Sequence, residues 1–179
     1  WNARAEIRHN LVRNYWKGIG AFVNADAVIE RNIVEDVLTW GITVWDAGKG
    51  RPRADIVENL IYHTGACGIA ITLPPEAAGV CAGNLVAYPG QNEKYDDPDY
   101  YCAQCPIAVH SAPPDYQLAH NLCAENRRAL PDSVRHMDAC VDVGLAEIVA
   151  AADSLRFATT RAGSYSRALI ELWTGSQAE

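Results

Sequence analysis

The sequence has little of what several protein classes require. It carries 15 lysines and arginines against 22 aspartates and glutamates, a net charge of −7, so it lacks the basic surface that binding a nucleic-acid backbone needs. No apolar run approaches the roughly 20 residues of a membrane-spanning helix. Six cysteines at irregular spacing are too few to be the main scaffold of a 179-residue chain. The composition therefore indicates one globular domain with a hydrophobic core, without a nucleic-acid partner or a membrane span.

What the sequence does contain is a repeat. Asparagine recurs before a pair of apolar residues at intervals of 22, 27, 25 and 37 residues, at Asn10, Asn32, Asn59, Asn84 and Asn121. Between these positions lie segments that begin with Gly-Ile or Pro-Ile, at Gly18, Gly41, Gly68 and Pro106. A short strand-like run precedes each asparagine, and no helical period of 3.6 survives in residues 3–125. Each repeat therefore contains three short extended segments separated by turns.

Stacked coils account for this pattern. If each repeat is one coil, equivalent strands of successive coils pair in parallel about 4.8 Å apart, and the rest of the coil replaces a helical crossover. Equivalent side chains then lie above one another, and we expect one aliphatic column of Ile7, Ile29, Ile56, Cys81 and Leu118. We expect a second column of Ile19, Ile42, Ile69 and Ile107. The asparagines should form a third, bonded through their amides and taking the left-handed backbone of a sharp bend.

The repeat resembles the right-handed parallel β-helix of the pectate-lyase-like superfamily, including its asparagine ladder, over residues 3–125. The resemblance implies an all-β fold, a right-handed parallel β-helix solenoid of about five coils in residues 1–130. Past residue 130 the rhythm breaks, and residues 142–157 suit a short helix, whereas the period of residues 164–175 is ambiguous. We predict that residues 131–179 cap the last coil, because a terminal coil exposes strand edges and apolar columns.

Proteins with this fold are often polysaccharide lyases, hydrolases or epimerases, and also adhesins or phage tailspikes. In the enzymes a groove runs along the outside of the first sheet, which corresponds here to the Gly-Ile strands. With the isoleucines inside, alternation turns Phe22, Trp45, Thr72 and His110 outward. Phe22 and Trp45 would then form an aromatic platform for the C–H face of a sugar, and we predict that they bind substrate. The alternative is that a loop or a neighbouring domain covers them.

Charged residues flank this row. The loop after the second Gly-Ile strand carries Lys49, Arg51 and Arg53, and we predict that Arg51 and Arg53 help to neutralise a uronate carboxylate; the alternative is a solvated loop. Asp46 and His110 are the predicted catalytic acid and base, on strands two coils apart, roughly 10 Å at the usual strand spacing. The Asn-Thr-Asp, Asp-Asp, Gly-His-Gly and Arg-Ile-Lys motifs of polygalacturonases are absent, as is the Arg-centred pattern of pectate lyases.

Metal ligands are sparse. The loop of residues 89–105 carries Asp96, Asp97 and Asp99, a type of cluster that can hold Ca²⁺, although acidic loops usually hold only water. Cys102 and Cys105 form a lone Cys-x-x-Cys pair, and a zinc site needs two more ligands that no second pair supplies. We therefore predict no metal site, leave Ca²⁺ open as a cofactor, and expect a loop-closing disulfide or two thiols.

The leading interpretation is a carbohydrate-active module, a polysaccharide lyase or glycoside hydrolase, with a polysaccharide as its partner and an extracellular or periplasmic location. The alternative is a noncatalytic binding or structural segment of a larger extracellular protein or fibre. The chain begins at Trp1 without a signal-like segment and enters a coil at once. We expect a piece of a longer protein, in which preceding residues or another chain cover the first coil.

Overall fold

Short parallel strands are the main regular structure of the computed structural model, which describes residues 2–96, 104–127, 139–157 and 166–175. Sheet A contains β1 (Arg4–Arg8), β4 (Asp26–Glu30), β7 (Arg53–Val57), β10 (Ala78–Ala82) and β13 (Gln117–Ala119). Sheet B contains β2 (Leu11–Arg13), β5 (Ile33–Val37), β8 (Leu60–Thr64), β11 (Leu85–Ala87), β14 (Leu122–Ala124) and β15 (Val141–Asp142). Sheet C contains β3 (Ile19–Phe22), β6 (Ile42–Trp45), β9 (Ile69–Thr72) and β12 (Ile107–Ser111).

The chain visits sheets A, B and C in turn, and strands pair in parallel with equivalent strands before and after them. Such an order places three sheets around one interior, consistent with the predicted parallel β-helix. In the described part of residues 2–127 the only helical element is a 3₁₀ turn at Glu93–Tyr95, as the absence of a helical period predicts. None of the helices in the described ranges has the length and apolar character to cross a membrane.

Both aliphatic columns are confirmed by the strand register. In sheet A the paired residues are Ile7, Ile29, Ile56, Cys81 and Leu118. In sheet C they are Ile19, Ile42, Ile69 and Ile107. The inner members are buried, whereas Ile7 and Leu118, at the two ends of their column, keep part of their surface exposed. Each fully buried isoleucine stabilises the fold by about 1.5–3 kcal/mol relative to an exposed one.

The asparagine ladder is also confirmed. Each of the first four asparagines donates from Nδ2 to the Oδ1 of the asparagine in the next coil, at 3.0 Å in all four steps. The same Oδ1 accepts the backbone N–H of the preceding asparagine, again at 3.0 Å. The other amide proton goes to a backbone carbonyl of the coil before, for example from Asn59 to Ile29 O at 2.9 Å. The ladder therefore satisfies buried backbone groups as well as the side chains themselves.

The expectation that the asparagines take the left-handed backbone was wrong. The residue before each asparagine has the positive φ instead: His9 (56°), Arg31 (51°), Glu58 (53°), Gly83 (65°) and His120 (56°). Each of these asparagines donates its backbone N–H to the Oδ1 of the asparagine in the next coil and points its side-chain amide along the stack. The left-handed residue that reverses the chain therefore lies one position before the asparagine.

Close backbone approach explains the glycine of the Gly-Ile pairs. A Cβ at Gly41 would lie 2.6 Å from Gly68 O, and one at Gly68 would lie 2.6 Å from Pro106 O and 2.5 Å from Val86 Cγ1. Real Cβ atoms do not approach backbone so closely, so the corner of one coil leaves no room for a side chain at these positions. The repeated glycine is therefore a packing requirement.

Sheet B is apolar on both faces. Val34, Ile61 and Val86 face the interior, while the residues just before them, including Leu60 and Leu85, belong to a second cluster on the other side. That cluster is completed by helices α1 (Leu145–Leu155) and α2 (Arg167–Gly175), through Ile148, Val149, Ala152, Leu169 and Leu172. Burial on both faces explains why β5, β8 and β11 each begin with two consecutive apolar residues.

The helix predicted in residues 142–157 is confirmed as α1, and the ambiguous segment near the end contains α2. Both helices pack on the side of sheet B. The domain boundary at residue 130 and the capping role of residues 131–179 stay predictions, since residues 128–138 lie outside the described ranges.

A buried carboxylate fixes α2 on sheet B. Glu35, in β5, is fully buried and accepts hydrogen bonds from Ser166 Oγ at 2.6 Å, Ala168 N at 2.9 Å and Arg167 N at 3.2 Å. An anion at a helix N-terminus satisfies backbone N–H groups that have no partner within the helix and interacts favourably with the helix dipole. Glu35 therefore has a structural role.

Candidate functional site

A pocket of about 190 Å³ lies on the outer face of sheet C, as alternation predicts. It is lined by Lys17, Phe22, Trp40, Thr43, Trp45, Ala70 and Thr72. We call it the sheet C pocket. Phe22, Trp45 and Thr72 are paired in register on successive strands, so their side chains follow one another along the face.

Phe22 and Trp45 keep large apolar surfaces exposed, 40 % and 49 % of each residue. A Cβ on Gly20 would lie 2.3 Å from Cε2 of Phe22, so the ring lies back over the glycine. The missing side chain at residue 20 therefore lets the ring lie close to the sheet. Flat aromatic surfaces of this kind suit contact with the C–H face of a sugar ring.

Two buried polar atoms in the pocket lining have no hydrogen-bond partner among the described residues: Trp40 Nε1 and Thr43 Oγ1. Lys17 Nζ lies 4.6 Å from the ring centroid of Trp40, within the range of a cation–π interaction. Unsatisfied buried donors are uncommon in folded proteins and invite a functional explanation.

Sequence reasoning missed Lys17 and Trp40. Each precedes the glycine of a Gly-Ile pair, so the residue before the glycine was the available signal. The equivalent positions in the next two repeats hold Cys67 and Cys105, which form a small buried cluster with Trp40 packed against it. The repeat thus places one side chain per coil at this edge of sheet C.

Asp46 is held by the loop that follows it. Its Oδ1 accepts the N–H of Gly48 at 3.0 Å, and its backbone N–H donates to Thr72 O at 3.2 Å. The loop reverses through Ala47 and Gly48, both at positive φ. At Gly50 a Cβ would lie 2.1 Å from Val23 O, so the loop packs closely on the neighbouring coil.

The two predicted substrate-binding arginines are not among the residues that line the sheet C pocket. Arg53 begins β7 in sheet A, where its guanidinium lies 2.9 Å from Asp55 and 3.8 Å from Asp26. The hydrogen bond that Arg53 donates to Asp55 raises the pKa of Arg53. Arg51 is exposed, and its backbone N–H donates to Oδ1 of Asn24 at 2.9 Å. Their predicted contact with a substrate stays a prediction.

His110 lies in β12, but the expected alignment of His110 with Thr72 was wrong. The register shifts between Val109 and Ser111, and Ser111 is the residue paired with Thr72. One strand, β9, separates β6 from β12, so Asp46 and His110 belong to coils about 10 Å apart at the usual strand spacing. Neither residue lines the pocket, and their acid and base roles stay a prediction.

The acidic loop is only partly described. Asp96 pairs with the guanidinium of Arg127 and accepts from Gln104, while Asp97, Asp99 and Cys102 lie outside the described residues. Within the described ranges no three His, Cys, Asp or Glu side chains come together as a metal site. The prediction about Ca²⁺ is therefore untested.

Comparison with protein-family models gives no match, and comparisons with curated proteins and with solved structures give none either. The pectate-lyase-like superfamily accordingly remains a resemblance of pattern, and the site must be judged from its own geometry.

Proposed function

We propose that this chain is a carbohydrate-active module, a right-handed parallel β-helix of about five coils related to the pectate-lyase-like superfamily, that binds a polysaccharide in the sheet C pocket. The observation that carries this proposal is the pocket itself, in which Phe22, Trp40 and Trp45 line one small cavity. Such a surface favours ligands that have both an apolar face and hydroxyl groups. An extracellular or periplasmic location belongs to the same proposal.

The polar atoms of the pocket support a sugar ligand. A sugar hydroxyl can accept from an indole N–H and can exchange hydrogen bonds with a threonine hydroxyl, the two groups of the pocket that have no partner among the described residues. A small rearrangement of the lining would be needed, because Trp40 Nε1 and Thr43 Oγ1 are buried. The exposed ammonium of Lys17 beside them adds a donor at the rim.

Cleavage of the bound polysaccharide is the enzymatic form of this proposal, with Asp46 and His110 as acid and base of a lyase or hydrolase. Their separation of about two strand spacings would leave room for a glycosidic bond between them. The second candidate is a noncatalytic binding or structural segment of a larger extracellular protein or fibre. Two contacts favour this candidate. Asp46 Oδ1 already accepts a hydrogen bond from Gly48 N, and the guanidinium of Arg53 already pairs with carboxylates of the protein, so both groups are engaged without a substrate.

Binding is tested with the variant Trp45→Ala and a panel of acidic and neutral polysaccharides in affinity electrophoresis. We expect affinity to fall about tenfold or more, because the largest exposed ring of the pocket is removed. The matched control is Trp173→Ala, which removes a tryptophan of similar exposure (40 %) from α2 and should leave binding unchanged. Equal affinities of wild type and Trp45→Ala would refute the proposal that the polysaccharide binds in the sheet C pocket.

Cleavage is tested separately on the same panel, by ultraviolet absorbance of new unsaturated uronates for a lyase and by new reducing ends for a hydrolase. The enzymatic form predicts product from wild type and none from Asp46→Asn or His110→Ala, with binding retained. Binding without product from any polysaccharide would leave the noncatalytic candidate.

A further inference from the structure

A larger cleft, of about 530 Å³, opens at the corner where the strands of sheet B end. Its lining shares no residue with the sheet C pocket and consists of Asp36, Val37, Leu38, His63, Gly65, Gln91, Asn92 and Glu93. We call it the corner cleft. Its volume falls within the range of about 300–1,000 Å³ that is usual for sites of small molecules.

The repeat brings a histidine and an aspartate together in this cleft. Asp36 and His63 occupy equivalent positions of successive coils, between register pairs that join β5 and β8. Both have a left-handed backbone, φ 52° and 55°, as does Tyr88 in the next coil, so the corner itself turns these side chains out of the sheet. His63 Nδ1 lies 2.9 Å from Asp36 Oδ1. Nε2 of His63 has no hydrogen-bond partner among the described residues, which leaves it available to a ligand.

The opposite wall is fixed by backbone hydrogen bonds. Gln91 N donates to Thr64 O at 2.9 Å, and Asn92 N donates to Gly65 O at 3.0 Å. The side chain of Asn92 accepts from Lys94 N at 3.0 Å, which holds the short turn that carries Glu93. The cleft is therefore preformed, and a ligand would lose little affinity to ordering of the protein.

Apolar side chains are unusually exposed beside the cleft. Leu38 is 64 % exposed and Trp16 is 70 % exposed, and Tyr15 is exposed to a similar degree. Leu38 N donates to Tyr15 O at 3.0 Å and Thr39 N donates to Trp16 O at 2.9 Å, so the turn that carries the two aromatic residues adjoins the cleft wall. Exposed apolar groups that cluster at a cleft are typical of ligand sites.

Hydrogen-bond acceptors predominate in the cleft. The carboxylates of Asp36 and Glu93 accept only, and His63 Nε2 accepts when the imidazole is neutral with its proton on Nδ1, beside Asp36. Arg167 Nη1 lies 2.7 Å from Asp36 Oδ1 and offsets part of the negative charge. A complementary ligand must therefore supply several donors, and it need not be charged.

We propose that the corner cleft is a second carbohydrate-binding site. A neutral sugar ring donates its hydroxyls to Asp36, Glu93 and His63 Nε2, and its C–H face contacts the apolar surface at Leu38. This site does not depend on the sheet C pocket.

The test is a titration of the whole chain with neutral oligosaccharides (cello-, xylo- and chito-oligosaccharides) while the imidazole resonances of His63 are followed by NMR. We expect saturable shifts of the Nε2 signal with at least one probe. Glu93→Gln, a change of an exposed residue on a surface turn, should weaken binding about tenfold, because it replaces a charged acceptor. His63→Gln removes the reporting imidazole, so binding to this variant is measured by isothermal titration calorimetry, and we expect none.

Two controls separate this site from its surroundings. Trp45→Ala removes the largest exposed ring of the sheet C pocket and should leave the shifts of the His63 signals on addition of oligosaccharide unchanged. Trp173→Ala changes α2 at a residue that does not line the corner cleft and should also leave the shifts unchanged, which excludes an indirect effect through the helix. The proposal is overturned if no probe shifts the His63 signals at millimolar concentration, or if Trp45→Ala removes the shifts.

Discussion

The buried part of the asparagine ladder should carry much of the stability of the fold, and Asn59→Ala tests this. Asn59 is fully buried; its Oδ1 accepts Asn32 N–H, and its Nδ2 donates to Ile29 O. Alanine would leave both of these backbone groups without partners, because the methyl group neither donates nor accepts. Each unsatisfied buried group costs about 1–3 kcal/mol, so the loss should be about 2–6 kcal/mol. This is a large part of the roughly 5–15 kcal/mol that stabilises a typical domain.

The measurement is urea denaturation followed by circular dichroism, with Asn10→Ala as the matched control. Asn10 lies at the exposed end of the ladder, where water can replace its amide, and Asn32 Oδ1 keeps the donor Asn10 N after the change. We expect the control to lose less than about 1 kcal/mol. Equal losses in the free energy of unfolding for Asn59→Ala and Asn10→Ala would refute the reasoning. If the ladder stabilises the fold by satisfying buried groups, replacing its exposed end must cost less than replacing a buried asparagine.

Three further predictions concern packing, helix docking and pH. Gly68→Ala should lower the free energy of unfolding, measured in urea, by about 1–3 kcal/mol, since its Cβ would meet Pro106 O at 2.6 Å. Gly144→Ala, whose Cβ would meet no atom of the described residues within 4 Å, should cost less than about 1 kcal/mol. Glu35→Gln turns an amide N–H toward the donors of α2 and should speed hydrogen exchange in residues 166–175 at least tenfold, as measured by mass spectrometry. Burial raises the pKa of the Cys81 thiol to about 12, against about 8.5 in an unfolded chain. The contribution of the neutral thiol to the free energy of unfolding is therefore fully present below pH ~8.5 and should be lost as pH rises toward 12. Cys81→Ala should flatten that alkaline slope in urea titrations, and an unchanged slope would assign it elsewhere, for example to Tyr116, whose pKa burial also raises.

The interior of the fold was predictable because it repeats. A column such as Ile29, Ile56 and Cys81 requires only that equivalent positions stack, and the spacing of the asparagines already sets that register. The corners were harder. The left-handed residue could be placed only once the amide of each asparagine was known to point along the stack, and one extra residue in β12 shifted His110 out of the expected alignment.

The outer faces were predictable only where alternation decides them. It placed Phe22 and Trp45 on one face, but it could not show that Trp40 and Lys17 close the pocket, since both lie in turns before the strands. The corner cleft was missed for a related reason. His63 was one of five histidines in the sequence, and nothing local indicated that Asp36 of the previous coil would lie beside it.

The environments of the three outer faces restrict where this chain can bind a ligand. On sheet A, Arg53 lies close to Asp26 and Asp55, so that face is charged and its charged side chains pair with one another. Such exposed pairs contribute little stability. On sheet B, α1 and α2 cover the apolar face. Sheet C therefore offers the accessible apolar strand face of the described chain, and the corner cleft lies where strands β5 and β8 of sheet B end. Among the described residues, these are the two places where we propose that a carbohydrate contacts apolar surface.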